Sequence, residues 1–330
     1  MKDKLLITGA CGFIGYHLCK SLLDDEYEVL GIDNINNYYD TKLKLDRLNQ
    51  LKRYENFKYE KIDIMDRNSL SKSFESFKPQ KVVNLAAQAG VRYSIENPYA
   101  YMDSNLVGFL NVIELCRHNN VEGFIYASSS SVYGDDSQLP KVESRVGNPL
   151  SPYAASKSSF EDYASVFYGI HGIETIGLRY FNVFGPRQSP NGAYAAVIPK
   201  FVHSIQRGES PIIFGDGEQT RDFTFVRNVV DANLLALFGE NESSFGQCFN
   251  VACGDTISIN KLFQDIKNSY EVLMNSEVSI LPEYSNERAG DVRDSLADLE
   301  KIRSILGYSP RVSYLEGIRE TVAWFISGDT

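Results

Sequence analysis

Lys4-Leu5-Leu6-Ile7-Thr8-Gly9-Ala10-Cys11-Gly12-Phe13-Ile14-Gly15 decides the fold of this chain. Its first five residues read as a strand and Tyr16 to Leu23 as a helix. Between them the glycines fall three apart, at positions 9, 12 and 15. Glycine is needed where a chain turns tightly, where backbone must approach a pyrophosphate, and where helix and strand pack closely; the helix N-terminus then faces the anion. The plain alternative is a glycine turn that holds no ligand. The next strand argues against it, because it ends in Asp33, 24 residues after Gly9, near the offset of a ribose-binding acid. A carboxylate there accepts hydrogen bonds from free ribose hydroxyls and repels a 2′-phosphate, so the expected dinucleotide is NAD rather than NADP.

Outward from this turn, β-rich runs alternate with helical patterns. The runs are Lys4 to Thr8, Glu28 to Asp33, Lys58 to Asp63, Lys81 to Ala86, Gly123 to Ser128 and Glu174 to Asn182. Such alternation predicts an α/β fold, a doubly wound Rossmann parallel sheet wrapped by helices. Continuous apolar stretches such as Val82-Val83 and Phe124-Ile125-Tyr126 suit strands covered on both faces. Asp63-Ile64, at the end of the third run, is placed beside the adenine. Leu85, Ala86 and Ala87 end the fourth run with small residues, against which a dinucleotide can lie, although alanines at a strand end are also ordinary packing. After Phe184 glycine and proline become denser, as in Phe214-Gly215-Asp216-Gly217. The expected division is a dinucleotide domain over residues 1–184 and a smaller mixed α/β lobe over 185–330, some late segments of which return to the first domain. Open α/β sheets bind ligands beyond the carboxyl ends of their strands, where this lobe would sit.

Composition narrows the function classes. Apolar residues at 43% and charged residues at 23% fit an ordinary globular chain. No apolar run approaches the ~18 residues of a spanning helix, and the N-terminus enters the first strand without a leader pattern, which predicts a cytoplasmic protein. A net charge of −10 argues against sequence-independent nucleic-acid binding, which needs a basic face. Cys11, Cys19, Cys116, Cys248 and Cys253 are odd in number and lack Cys-x-x-Cys spacing, so buried free thiols are expected rather than disulfides. His17, His118, His171 and His203 are scattered, and no metal site is expected.

The chemistry points to Ser128-Ser129-Ser130-Ser131 and, 24 residues after Ser129, to Tyr153 and Lys157 in Ser-Pro-Tyr-Ala-Ala-Ser-Lys. Ser158 to Gly172 reads as a helix, and residues four apart share a helical face, so phenol and ammonium point into one cleft. A fixed cation favours the phenolate, which would let the tyrosine act as a base nearer neutrality. Alone, Tyr-x-x-x-Lys arises by chance in many helices, and the serine run could be a polar strand end. The glycine turn and Asp33 supply the context.

Together the glycine turn, Asp33, Ser129, Tyr153 and Lys157 resemble the extended short-chain dehydrogenases/reductases, nearly from end to end. Leu178-Arg179-Tyr180-Phe181-Asn182-Val183-Phe184-Gly185, Arg221-Asp222-Phe223 and Arg288-Ala289-Gly290-Asp291 further resemble the NAD-dependent nucleotide-sugar 4-epimerases. The resemblance implies hydride transfer from sugar C4 to NAD and back, with Tyr153 as base, Ser129 on the 4-oxygen, Ser130 assisting, and Lys157 holding the nicotinamide ribose. It implies cofactor contacts from Gly9, Gly12, Phe13, Ile14, Gly15, Asp33, Asn34, Asp63, Ile64, Leu85, Ala86, Ala87, Asn105 and Tyr180. Dehydratases and uronate decarboxylases of this kind carry an acidic residue just after the catalytic hydroxyl. Ser130 and Ser131 stand there instead, which favours epimerisation.

The resemblance also implies a UDP-sugar substrate. Asn182, Arg221 and Arg288 fall on the diphosphate, a role that suits permanently charged arginine. Asp291 falls on the ribose side, and Val197, Ile198, Ile213 and Phe214 around uracil; Lys200 and Arg187 would add to the local positive field. Gly31 to Asp40 and Gln88 to Arg92 resemble UDP-glucuronate 4-epimerases. Asn191 to Pro199 instead resembles bacterial UDP-N-acetylglucosamine 4-epimerases that supply O-antigen and capsule. Ser295 falls at a gate where a bulky tyrosine would exclude an N-acetyl group. Arg92 is the cation to watch for a uronate carboxylate, or it is a loop charge. UDP-N-acetylglucosamine is the favoured substrate, UDP-glucuronate or its N-acetylated counterpart the alternative. A binding protein that kept the fold and lost the chemistry is the contrary class. A homodimer through Met102 to Asn119 and Ser156 to Tyr168 is implied.

Overall fold

The computed structural model describes residues 2–190, 196–287 and 292–328. Seven parallel strands form the main sheet: β1 (Lys4–Thr8), β2 (Glu28–Ile32), β3 (Phe57–Glu60), β4 (Lys81–Asn84), β5 (Gly123–Ser129), β6 (Glu174–Tyr180) and β7 (Gln247–Val251). Their spatial order is β7-β6-β5-β4-β1-β2-β3. The strand order reverses at β1, which pairs with β2 on one side and β4 on the other. This is the doubly wound arrangement expected, and its switch point lies where ligands bind.

The apolar runs pack as strands because both faces are covered. Leu5, Ile7, Val83, Ile125 and Leu178 face one core with Leu18 and Leu22 of helix α1 (Phe13–Asp24). Leu6, Leu30, Val82 and Phe124 face the other, with Phe109 and Phe160 stacked at 4.1 Å between ring centroids. Alternation of side chains along each strand divides the residues in this way. A third core of Ile198, Phe201, Ile213, Phe225, Leu262 and Ile318 builds the second lobe.

Several boundaries differ from expectation, and the differences bear on the site. Strands β3, β4 and β6 stop at Glu60, Asn84 and Tyr180, so Asp63 and Ala86 lie beyond the sheet, on chain free to face a ligand. Helix α5 (Pro152–His171) begins six residues before the expected Ser158, with α2 (Thr41–Leu51), α3 (Arg67–Phe77) and α4 (Gly108–His118) preceding it. Ser151 caps α5 by accepting from Ala154 N at 3.1 Å, and Pro152 occupies the first turn, where its missing N–H is not needed. Tyr153 and Lys157 are therefore held by the helix itself. Met102–Val107, expected as ordinary helix, is a π-helical turn. The seventh strand comes from the second half of the chain: β7 pairs with β6, while Ile302, Leu306 and Tyr308 join the first core. Among the described residues no helix is long and apolar enough to cross a membrane.

Candidate active site

The glycine turn is locked from several sides. Gly9 has φ +70, and its N–H donates to Ile32 O at 2.7 Å. A Cβ on Gly15 would stand 2.1 Å from Gly9 O, and one on Gly9 2.8 Å from Ala86 N. Gly12 caps α1 without a side-chain acceptor, so the first N–H groups of that helix remain available to an anion. Asp33 is buried, with Oδ2 accepting from Cys11 N at 3.1 Å and Oδ1 from Ile35 N at 2.8 Å. Asn34 donates to Asp63 Oδ2 at 2.8 Å.

A cleft of about 500 Å³ runs from these residues across the ends of the strands. Gly9, Gly12, Phe13, Ile14, Gly15, Asp33, Asn34, Asp63, Ile64, Leu85, Ala86 and Ala87 line one side, and Ser129, Tyr153, Lys157 and Tyr180 the other. A glycine turn that admits no side chain, an uncapped helix N-terminus and an oriented acid at the end of β2 together fit a dinucleotide. Asn105 is placed differently: its amide accepts from Gln88 N at 2.7 Å and donates to Gln88 O and Ser156 Oγ, so it holds the cleft wall from behind.

At the far end the Tyr153 hydroxyl lies beside the Ser129 side chain, both in the lining of the cleft. Ser129 Oγ also accepts from Ser131 N at 3.2 Å, whereas Ser130 is half-buried at the start of the following 3-10 turn. Lys157 Nζ donates to Ala127 O at 2.7 Å and lies 4.2 Å from the Phe160 ring centre and 6.0 Å from that of Tyr153. The electrostatics differ from the simple picture of an ammonium that lowers a phenol. Burial lifts the Tyr153 phenol above its ordinary value, with Ser129 opposing. Burial also brings Lys157 down to about 7, with the Glu161 charge opposing.

The described residues expected on a UDP-sugar, Ser129 apart, lie outside the lining of this cleft. Asn182, at φ 31, donates to Asp222 O at 3.0 Å. Arg221 Nη1 donates to Thr220 O and Arg293 O, both at 2.8 Å. Ile198 and Ile213 are buried in the second-lobe core, with Val197 packed against it. Lys200, Phe214 and Ser295 are half-buried, and Arg92 lies on the short helix Val91–Glu96. Arg187 turns away to pair with Asp46. Arg288 and Asp291, and Asn191 to Ala195 of the stretch quoted above, lie outside the described residues.

Several lining residues carry no motif. Lys44 and Arg47 of α2 enter the cleft, both buried: Lys44 Nζ donates to Asn36 Oδ1 at 2.7 Å, and Arg47 Nη1 to Cys11 O at 2.9 Å. Their signal was a helical stripe, Lys44, Arg47, Leu48 and Leu51, in which two cations share the apolar face. Gln88, Ser104, Gln188 and Ser189 also line the cleft.

Residues 6–321 match the family model described as GDP-mannose 4,6 dehydratase. The chain is 38% identical over 322 residues to a UDP-glucuronate 4-epimerase of Thermodesulfobacterium geofontis, covering 97% of this chain and 95% of that one. Among solved structures, a UDP-N-acetylglucosamine 4-epimerase from Methanobrevibacter ruminantium in complex with UDP-N-acetylmuramic acid is 39% identical, with a TM-score of 0.89 and coverage of 99% and 100%. A UDP-glucuronic acid 4-epimerase from Bacillus cereus in complex with UDP-glucuronic acid and NAD is 32% identical, with a TM-score of 0.88 and coverage of 98% and 99%. With its switch-point cleft and glycine turn, this chain belongs to the GDP-mannose 4,6 dehydratase family of extended short-chain dehydrogenases/reductases, among the NAD-dependent UDP-sugar 4-epimerases.

Proposed function

We propose that this enzyme interconverts UDP-N-acetylglucosamine and UDP-N-acetylgalactosamine by inverting C4, with residues 1–184 mainly holding the dinucleotide and 185–330 mainly the UDP-sugar. The observation that carries epimerisation is the placement of carboxylates. Among the described residues lining the cleft, the acids are Asp33 and Asp63. Asp33 follows β2, three strand positions from Ser129 at the end of β5, or roughly 14 Å at ordinary strand spacing. Elimination of the 6-hydroxyl would need a further acid or base beside the sugar, and Ser130 and Ser131 offer none.

In this reading Tyr153, as phenolate, takes the proton of the sugar 4-hydroxyl while Ser129 hydrogen-bonds the 4-oxygen. NAD, when bound, would supply the acceptor and then the donor of the C4 hydride, and the 4-keto sugar would turn over in the site in between so that its other face is reduced. Lys157 supplies the positive charge that favours the phenolate, and Tyr153 then reprotonates the 4-oxygen. Gly9 to Gly15, Asp33 and Asp63 hold the dinucleotide, and Asn182, Arg221 and Arg288 the diphosphate. Support for the N-acetylhexosamine is the small Ser295 at the expected gate and the likeness to the Methanobrevibacter ruminantium enzyme.

The likeness to UDP-glucuronate 4-epimerases supports a second reading, with Arg92 meeting the carboxylate. A side-by-side assay of UDP-N-acetylglucosamine and UDP-glucuronate, with and without Arg92→Ala, tests the choice. Faster turnover of the uronate, lost in Arg92→Ala, would reverse it. Ser295→Tyr should suppress the acetylated sugar selectively; equal loss on UDP-glucose would remove the gate assignment.

A homodimer is also proposed. Tyr163, Val166 and Ile170 recur at helical spacing on one exposed face of α5, and Met102, Val107 and Leu110 are exposed on the neighbouring segment.

A further inference from the structure

Helix α5 carries a third ionisable side chain on the face of Tyr153 and Lys157. Glu161 stands one turn beyond Lys157 and points into the seam between α5 and the sheet. There it accepts from Ser128 Oγ and forms a two-pronged ion pair with Arg179 of β6, Nε to Oε1 at 2.9 Å and Nη2 to Oε2 at 2.7 Å. Arg179 continues to Tyr133 Oη at 3.0 Å and Glu143 O at 3.2 Å, and Tyr133 donates to Asn250 Oδ1 at 2.6 Å. Ala127 O takes Lys157 and the adjacent Ser128 takes Glu161, so two successive residues of β5 register the helix against the strand that ends in Ser129.

From this geometry we infer that Glu161 is a positioning residue for the reaction, a half-buried negative charge that holds Lys157 as the ammonium beside Tyr153. The inference rests on the roles proposed above for Tyr153 and Lys157. The groups facing Glu161 are Lys157 on its own helix, Arg179 on β6, Tyr126 and Ser128 on β5, Cys248 on β7, and Lys301 on the short helix Glu300–Leu306. Those facing Lys157 are Tyr153 and Glu161.

The consequence is a specific pH signature. Tyr153 and Lys157 titrate as one unit, and the active form, phenolate with ammonium, carries the same number of protons as neutral phenol with neutral amine. The rate therefore rises with pH until Lys157 begins to lose its proton and then levels off. Below that bend the active fraction depends on the phenol alone. Above it, the fraction depends on the difference between the two groups. Removing the Glu161 charge makes the Lys157 proton easier to lose by about one pH unit. The bend then moves down by about one unit and the plateau falls by the same factor, about tenfold, while the rate below the bend is unchanged.

The experiment measures kcat/KM against pH for Glu161→Gln with UDP-N-acetylglucosamine and UDP-glucuronate in parallel. The double variant Glu161→Gln with Arg179→Gln leaves no unpaired buried ion, so it covers the case in which the single variant fails to fold. A lowered bend with a matching plateau loss is the expected result in folded Glu161→Gln; the double variant also loses the opposing Arg179 charge, so its bend and its plateau should fall by less. An equal loss at every pH would reduce Glu161 to a structural tie and overturn the inference, as would an unaltered profile. Glu161→Asp should restore much of the plateau. Failure of the underlying roles would show separately, as near-normal turnover in Tyr153→Phe.

Discussion

At Gly15 an added Cβ would stand 2.1 Å from the Gly9 carbonyl oxygen, a backbone atom that cannot rotate aside. Gly15→Ala should therefore push the helix away from the turn, lowering stability by about 1–3 kcal/mol, seen as a lower thermal midpoint, and NAD should no longer accompany the purified protein. An unchanged midpoint with full NAD content would show that the turn has slack. Tyr153→Phe keeps the ring and removes the hydroxyl beside Ser129. Turnover should fall by about 10²–10⁴-fold with NAD binding retained, measured by epimer formation and by absorbance of the bound dinucleotide. Both positions were legible in sequence because glycine spacing and the Tyr-x-x-x-Lys pattern are local. Glu161 was not: a glutamate four residues beyond a lysine is also what any solvated helix carries, and only β5 and β6 turn it into a half-buried, paired charge.

Helix α2 shows how a sequence pattern can contain an element without its task. Its stripe of Lys44, Arg47, Leu48 and Leu51 predicts a helix with one face inward, and that face is buried. What the stripe does not contain is the identity of its partners. Arg47 reaches Cys11 O in the glycine turn, Tyr39 Oη at 2.8 Å, and the carbonyl of Arg187 at the junction with the second lobe. One guanidinium thus ties helix, turn and lobe. Arg47→Leu should cost about 3 kcal/mol by leaving these acceptors without a charged donor. Denaturant unfolding would show it, together with weaker NAD retention; a loss under 1 kcal/mol would mean that other bonds carry the junction.

For the whole molecule the exposed faces of α5 and of the segment before α4 supply a further prediction. Val166 and Ile170 are 53% and 71% exposed, more than an isolated chain needs to leave on one helix face. Val166→Glu with Ile170→Glu should halve the mass seen by sedimentation without unfolding the chain, if that face joins two copies. A monomeric parent protein, or a variant that stays dimeric, would remove the proposal. The division at residue 184 also belongs to this scale. β7, from residues 247–251, pairs with β6 and so extends the sheet of the first half.

By itself the sequence determined the alternating α/β order, the glycine turn with Asp33, and the Ser129, Tyr153 and Lys157 set. Each rests on periodicity or on short spacings that a linear chain records. Tertiary structure alone decided which polar residues meet across elements: Asn105 behind Gln88, Arg47 on the glycine turn, Arg179 on Glu161. It also decided that burial lifts the Tyr153 phenol above its ordinary value. The physical reason is that desolvation and charge pairing depend on distances through space, and residues 128, 161 and 179 become neighbours only when strands β5 and β6 lie side by side beneath one helix.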